Sequence, residues 1–528
     1  MSFIWFLLSF VICALGQPSR VPFLGFFASF IGYGLLWWVI RDFRRPLISA
    51  FIWFFLVSLV QLSWLSDPSY CTNWIYLAYL AYSALLAFGF LLGTWTIFKG
   101  FHPLAIAASF TIIEWLRSFI LSGLPFNPAG LHLVSCFYPM QMAAYIGILG
   151  LSFWVYLANS YFLQSLKKRN LFSFGLIVLL PFVCGFIHYQ TLEHVLGDHM
   201  NVALIQTKTA PWRKGNPTKD LHLAKNEWEN WENILMKLGP LIHKSLDLIV
   251  LPEGAFVMAL PKRFFLEDMN ELFTQVFGLE IENSFPLLSE RNSLRQGEQV
   301  FVNGVYCCQT LANFFNADLI CGFDDLAGLD KTGFVNAAFL FRPLEKNYQR
   351  YEKRLLVPLV EYLPFALVSK IAHYFDIYGG FEKGEQAKVF HSKWKYGISI
   401  CYEEVFSHIG RSIGKLKSDV LINISNDAWF PRSNLAEQQK DLARVRSVEL
   451  GLPFLRCNNI GGTSFIDRFG QVIHEIKDEP LIVETISLAK HPTIYVLIGD
   501  LPLLILCFSF ILVLFVVKTR PLALNRRL

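Results

Sequence analysis

Three stretches of this chain end an apolar run on a side chain that can do chemistry. In Lys395-Tyr-Gly-Ile-Ser-Ile-Cys401-Tyr-Glu-Glu404 the apolar run reads as a short strand, and Cys401 sits where it gives way to Tyr402, Glu403 and Glu404. A thiol at the end of a buried strand, with carboxylates beside it, is a candidate nucleophile for covalent catalysis. The competing reading is a buried structural cysteine. In Leu248-Ile-Val-Leu-Pro-Glu253-Gly a carboxylate follows an apolar strand, and in Tyr351-Glu-Lys353-Arg-Leu-Leu-Val-Pro358 a lysine stands in a similar transition, with Glu361 soon after. Singly, Glu253 and Lys353 read as solvated residues at strand ends. Together, a carboxylate, an ammonium and a thiol are complementary types for nucleophilic catalysis, provided the fold brings them together.

The elements that must position them begin at residue 201, where long apolar runs give way to short strands alternating with polar helices. Val202–Gln206, Asp247–Leu251, Asp318–Gly322, Asn336–Phe341, Tyr396–Ile400 and Asp419–Ile424 are predicted strands; Asp220–Leu238 and Glu437–Leu450 are predicted amphipathic helices. This pattern predicts one α/β domain with a sizeable core. The polar segment Glu280–Glu298 reads as a surface loop or lid, and Cys307-Cys308 as strand filling.

The remainder belongs to a different solvent. The 528 residues are 54% hydrophobic and include 50 Phe, and the mean hydropathy is +0.42. These values place part of the chain in lipid. Apolar segments at about 2–16, 21–40, 46–66, 74–98, 102–122, 136–165 and 171–189 precede residue 195, and an eighth lies at about 494–517. Most have about the 20 residues a spanning helix needs. Arg41, Arg44 and Arg45 follow the second segment, Lys99 the fourth, Lys167, Lys168 and Arg169 the sixth, and Lys518, Arg520, Arg526 and Arg527 the eighth. The positive-inside rule then puts both termini in the cytoplasm and the region between the last two spans outside it, with Arg20 a mild exception. The expected division is a seven-span membrane domain (1–194), an external domain (195–490), and a last span with a cytoplasmic tail (491–528).

In the fifth segment, Glu114-Trp-Leu-Arg117 sets opposite charges three residues apart on one helix face. The expectation is a mutual pair facing the bundle interior, either functional or simply orienting the helix. A net charge of +5 gives no case for a nucleic-acid surface. The ten Cys lack paired C-x-x-C spacing. Without metal-ligand spacing or a Gly-rich phosphate loop, no metal or cofactor is expected.

The Pro252-Glu253, Lys353-Arg-Leu-Leu-Val-Pro and Cys401-Tyr-Glu elements, in this order, resemble the Glu-Lys-Cys triad of the nitrilase superfamily. The whole layout resembles the apolipoprotein N-acyltransferase family, bacterial inner-membrane enzymes that complete lipoprotein maturation. The resemblance also rests on Glu114-Trp-Leu-Arg117 with the later Gly-Leu-Pro, Glu361-Tyr-Leu-Pro, Ser425-Asn-Asp-Ala-Trp-Phe430 and the tract from Arg444-Val-Arg446-Ser-Val-Glu449 to Arg456-Cys-Asn-Asn459. The chain departs from the family at Leu355, Leu359-Val360 and Pro431, and in having Leu-Pro before Glu253. The resemblance implies eight spans and an external α-β-β-α nitrilase-like sandwich.

It also implies a two-stage acyl transfer by a monomer without cofactor. The expected donor is a phospholipid, phosphatidylethanolamine in the first instance, and the acceptor is a diacylglyceryl apolipoprotein. On that expectation Cys401 is the nucleophile and Glu253 the base, while Lys353 lowers the thiol pKa and, with the Tyr402 N–H, holds the oxyanion. Glu361 and Glu403 support them. Trp212, Trp429, Glu114 and Arg117 are candidate substrate or lipid contacts, and the loops Pro364–Tyr378 and Ala428–Pro431 candidate lipid gates. Two rivals remain: a membrane-tethered amidase of the nitrilase type using the same triad, and a scaffold or transporter without activity.

Overall fold

The computed structural model describes residues 2–19, 21–67, 74–120, 123–168, 171–208, 220–256, 262–326, 333–358, 361–362, 380–431, 433–476 and 479–516. Residues 2–192 form a bundle of apolar helices. Pro22, Pro46 and Pro103 stand at the first turns of their helices, where a missing N–H leaves no bond unmade. Four helices are long and apolar enough to cross a membrane, namely Pro22–Ile40, Ile75–Phe98, Ala143–Lys167 and Phe172–Leu192. Ser2–Leu15, Pro46–Gln61 and Leu501–Val513 are shorter apolar helices. The remaining expected span is the 15-residue helix Pro103–Arg117.

Apolar composition therefore overstated helix length where turns interrupt the run. The third segment ends in a 3-10 turn, Ser63–Ser66. The sixth opens with the one-turn helix Phe137–Met140, and its main helix, Ala143–Lys168, breaks at Gly147. There φ is +64°, a conformation glycine adopts without steric penalty, and the space a side chain would take is filled by the Tyr495 ring.

Residues 199–487 form two six-stranded sheets. The first runs Leu481–Ser487, His199–Ile205, Leu248–Val250, Asp318–Leu326, Phe334–Phe341, Gln349–Glu352. The second runs Val472–Glu475, Ser464–Ile466, Phe454–Asn458, Val420–Ser425, Lys395–Ile400, Val389–His391. Alternate side chains do the layering. Val202, Leu204 and Val250 of one sheet meet Ile398, Ile400 and Ile422 of the other in a shared core. Ala203, Ile205 and Ile249 point the opposite way, onto Trp231 and Leu235 of helix Asp220–Leu238. The outer face of the second sheet carries helix Leu435–Leu450, whose Leu442, Val445 and Val448 share one apolar cluster with Tyr33, Trp53 and Phe126 of the bundle.

Polar contacts fix that junction. Glu449 Oε1 accepts from the Ile148 N–H freed by the Gly147 break (2.7 Å), and Asp441 accepts from Ser19 N and Oγ (2.7 Å each). Gln141 Nε2 donates to Phe469 O (2.9 Å).

Two expectations are corrected. Cys307 and Cys308 lie in helix Gly304–Phe315, capped by Asn303, not in a strand. Almost every residue of that helix is buried, so its sequence carries no one-sided period. Within Glu280–Glu298 the structure has a 3-10 turn, Leu279–Ser284, and a strand, Ser293–Gln296, paired with Gln299–Val302 around Gly297. The polar stretch is a hairpin that belongs to a small third sheet.

Candidate active site

Strand Lys395–Ile400 is flanked by Val420–Ser425 and Val389–His391. At Cys401 the backbone turns to φ +50° and enters the 3-10 helix Cys401–Val405. A left-handed conformation at a residue with a Cβ costs about 1–2 kcal/mol. It is held by Asn423 Nδ2, which donates to Cys401 O (3.2 Å), and by Glu403 Oε2, which accepts from Ile400 N (2.8 Å). The turn lifts the half-buried thiol to the mouth between the two sheets, where it touches both the inter-sheet core and the cluster shared with the bundle.

The other two chemical side chains come from the facing sheet. Glu253 follows strand Leu248–Val250, and Gly322 backs it so closely that a Cβ there would sit 2.7 Å from the Glu253 Cα. Lys353 follows strand Gln349–Glu352 and is 1% exposed. Its Nζ donates to Glu253 Oε1 (3.0 Å) and Glu361 Oε1 (2.8 Å). Asn336 Nδ2 donates to the same two oxygens (2.5 and 3.4 Å), while its backbone O receives Lys353 N (2.8 Å). Glu361 Oε2 accepts from Val357 N (2.7 Å). Glu253, Lys353, Glu361 and Cys401 are thus brought together, and sequence reading missed Asn336. Its only signal was a polar side chain inside an otherwise apolar strand.

The electrostatics follow from this crowding. Burial alone would push Lys353 down, but Glu253, Glu361 and the Cys401 sulfur raise it well above the ordinary lysine value. For Cys401, burial and then the Glu253 charge push the thiol up; Lys353 and a hydrogen bond with Ser425 pull it back without prevailing. Lys353 acts in the expected direction on the sulfur, yet the resting group is a thiol, not a thiolate. Deprotonation must therefore accompany attack. Glu253 Oε2 carries no hydrogen bond among the described residues and is the free acceptor for that proton.

Glu403 positions the whole turn. It is fully buried and accepts from Tyr351 Oη on both oxygens (2.9 and 2.8 Å), from Arg354 N (2.6 Å), Leu355 N (3.2 Å) and Ile400 N (2.8 Å). It ties the residues after Lys353 to the strand before Cys401. Glu403→Gln would aim an amide N–H₂ at these donors. The expected result is a loss of about 2–4 kcal/mol, read as a lower thermal midpoint; an unchanged midpoint would refute this positioning role.

A second buried network, unforeseen apart from its sequence tract, holds the next loop. Arg456 Nε donates to Glu404 (3.1 and 3.2 Å), Nη2 to Asp427 Oδ2 (2.9 Å) and to Gln439 Oε1. Asp427 opens the 3-10 turn Asp427–Trp429. Trp429 is half-buried, and Phe430 meets Trp64 of the bundle edge-on (5.1 Å). Tyr402 is buried, with Oη donating to Gly123 O and its ring against Phe126 (5.7 Å). Trp212 and loop Pro364–Tyr378 lie outside the described residues. No group of three or more His, Cys, Asp or Glu that could hold a metal occurs among the described residues.

Glu114 and Arg117 do not pair. Glu114 Oε1 accepts from Ala129 N (2.9 Å) and Tyr156 Oη (3.0 Å), while Arg117 Nη1 donates to Asn127 Oδ1 (3.1 Å). The segment 123–135 folds back under the helix end and offers each charge a partner closer than the other.

Residues 201–491 match the family model described as carbon-nitrogen hydrolase, more than half of the chain. The chain belongs to the carbon-nitrogen hydrolase family. Its sheet-rich domain has the nitrilase fold of that family. In front of this domain, residues 5–161 match the apolipoprotein N-acyltransferase N-terminal domain. Two curated relatives bear that enzyme's name. The apolipoprotein N-acyltransferase of Chlamydia pneumoniae is 26% identical over 550 residues, covering 95% of this chain and 95% of that protein. The one of Haemophilus ducreyi is 28% identical over 542 residues, covering 96% and 95%. Among solved structures, Saccharomyces cerevisiae Nit3, described as a member of branch 10 of the nitrilase superfamily, is 16% identical with a TM-score of 0.36. That match covers 64% of this chain and 100% of Nit3.

Proposed function

We propose that this chain is an apolipoprotein N-acyltransferase: it moves a fatty acyl chain from a phospholipid, through a thioester on Cys401, to the α-amine of a diacylglyceryl-cysteine at an apolipoprotein N-terminus. The observation that carries the mechanism is the convergence of Glu253, Lys353 and Cys401 at the mouth of the two sheets, on a domain docked against apolar helices. The eight helical segments are read as eight spans, with both termini cytoplasmic and the catalytic domain periplasmic in the inner membrane. The chain then divides at 1–194, 195–490 and 491–528.

In the first stage Cys401 Sγ attacks the ester carbonyl while Glu253 Oε2 takes the thiol proton. Two of the three Lys353 N–H donors are engaged by carboxylates, which leaves the third for the oxyanion beside the Tyr402 N–H. Collapse expels the lysophospholipid alkoxide, which recovers the proton from Glu253, and the thioester remains. In the second stage the acceptor amine attacks, Glu253 takes its proton, and the departing sulfur is reprotonated. Glu361 keeps Lys353 charged and in place. Docking on the bundle spares the extraction of acyl chains into water, about 0.8 kcal/mol per CH₂.

The test uses purified full-length protein in detergent with phosphatidylethanolamine and a synthetic diacylated lipopeptide. Intact-protein mass spectrometry is expected to show an acyl adduct that is discharged onto the lipopeptide amine. Discharge to water alone would assign an amidase-like hydrolase instead. No adduct on folded protein would sink the thioester route.

A further inference from the structure

Arg117 ends helix Pro103–Arg117 with only part of its guanidinium engaged. The side chain is 8% exposed, yet among the described residues only Nη1 has a partner, Asn127 Oδ1 at 3.1 Å. Nε and Nη2 donate to nothing. These two N–H groups project from the same edge of the planar guanidinium, a fork that matches two oxygens of a carboxylate or phosphate. Asn127 is itself fixed, its Nδ2 donating to Gln61 Oε1 (2.9 Å) and Gln61 Nε2 to Cys13 O (2.9 Å). The relay holds the opposite edge of the arginine and leaves the fork oriented. A buried cation with two idle donors is costly unless an anion completes it.

The surroundings indicate which anion. Just past Arg117, Phe119 is 65% exposed, and Leu116 and Ile120 are also exposed, an apolar surface suited to acyl chains. On the inner side, the charge of Arg117 reaches Tyr82, whose Oη donates to Leu124 O, and Tyr82 is within electrostatic reach of Tyr402 beside the nucleophile. The site thus lies between exposed apolar residues and the catalytic turn, where the headgroup of a bound lipid would stand.

We propose that the Arg117 fork binds the phosphodiester of the phospholipid donor and so seats its ester near Cys401. This rests on the acyl-transfer reading above. The test measures thioester formation by the full-length protein in mixed micelles. It compares phosphatidylethanolamine with diacylglycerol of the same chains, which keeps the esters and lacks the phosphate. For Arg117→Gln, kcat/KM with the phospholipid is expected to fall roughly 10- to 100-fold, mainly in KM. The phospholipid-to-diacylglycerol preference should fall by the same factor, and Arg117→Lys should restore part of it.

Equal losses on both donors, or an unchanged preference, would overturn the proposal. Inorganic phosphate is expected to compete with the phospholipid on the wild type. Phosphate that raises the thermal midpoint without competing would assign the fork to a free anion and overturn the lipid role. A wild type acylated by neither donor would remove the reaction itself, and the fork's role with it.

Discussion

Cys401→Ala is expected to carry no acyl group and to transfer none, with turnover reduced roughly 10⁴-fold or more. Removing a covalent nucleophile leaves only what binding and the oxyanion donors supply. The fold should survive, because the residue is half-buried and the left-handed turn is held by Asn423 and Glu403. Mass spectrometry after incubation with a phospholipid, with a thermal midpoint as control, decides it. An adduct surviving in the alanine variant would move the nucleophile elsewhere. The state of the thiol adds a pH signature. Since burial and Glu253 hold it above its ordinary value, alkylation by iodoacetamide should keep rising past pH 9 and not level off near 8. Glu253→Gln removes a negative neighbour and lowers the thiol pKa. That variant should alkylate faster at a given pH while its acylation by lipid slows, a divergence that separates base catalysis from simple ionisation.

Lys353→Met is expected to damage both chemistry and stability. It removes the cation between Glu253 and Glu361. Loss of one partner from a buried ionic cluster costs about 3–5 kcal/mol, or one carboxyl takes up a proton to avoid that cost. Acylation should fall by about 10²–10³-fold through the lost oxyanion donor. The sign of the pH effect follows from the raised lysine. Its contribution to stability is complete below the unfolded lysine value and is lost only as pH climbs through the folded one, so wild type should weaken in strong alkali and the variant should not share that limb. A variant as stable and as active as wild type would show that the cluster is incidental.

Much of the site was legible because nucleophile, base and ammonium each close an apolar strand. The periodicity that marks a strand also marks its end. Glu403 could be suspected from its place beside Cys401. What could not be read were partnerships between segments distant in sequence. Asn336 is 83 residues from Glu253, which it holds, and Arg456 is 52 from Glu404. Glu114 and Arg117 misled for the converse reason: helical spacing says which residues share a face, but the returning segment 123–135 decided their partners. Helix Gly304–Phe315 read as a strand because burial on all sides erases a helical period. The apolar runs gave eight segments yet not their turns, because hydropathy does not distinguish a 3-10 turn from a helix when both are buried.

The clamp at the broken helix has a kinetic consequence. Glu449 bonded to Ile148 N, Asp441 to Ser19 and Phe469 O to Gln141 fasten the catalytic domain to the bundle at three separated points, so the reactive mouth cannot swing out to sample bulk solution. Lipid substrates must then arrive by diffusion within a two-dimensional film. Their effective concentration is a mole fraction of the surface, and diluting the bilayer with inert lipid should slow turnover at constant total substrate.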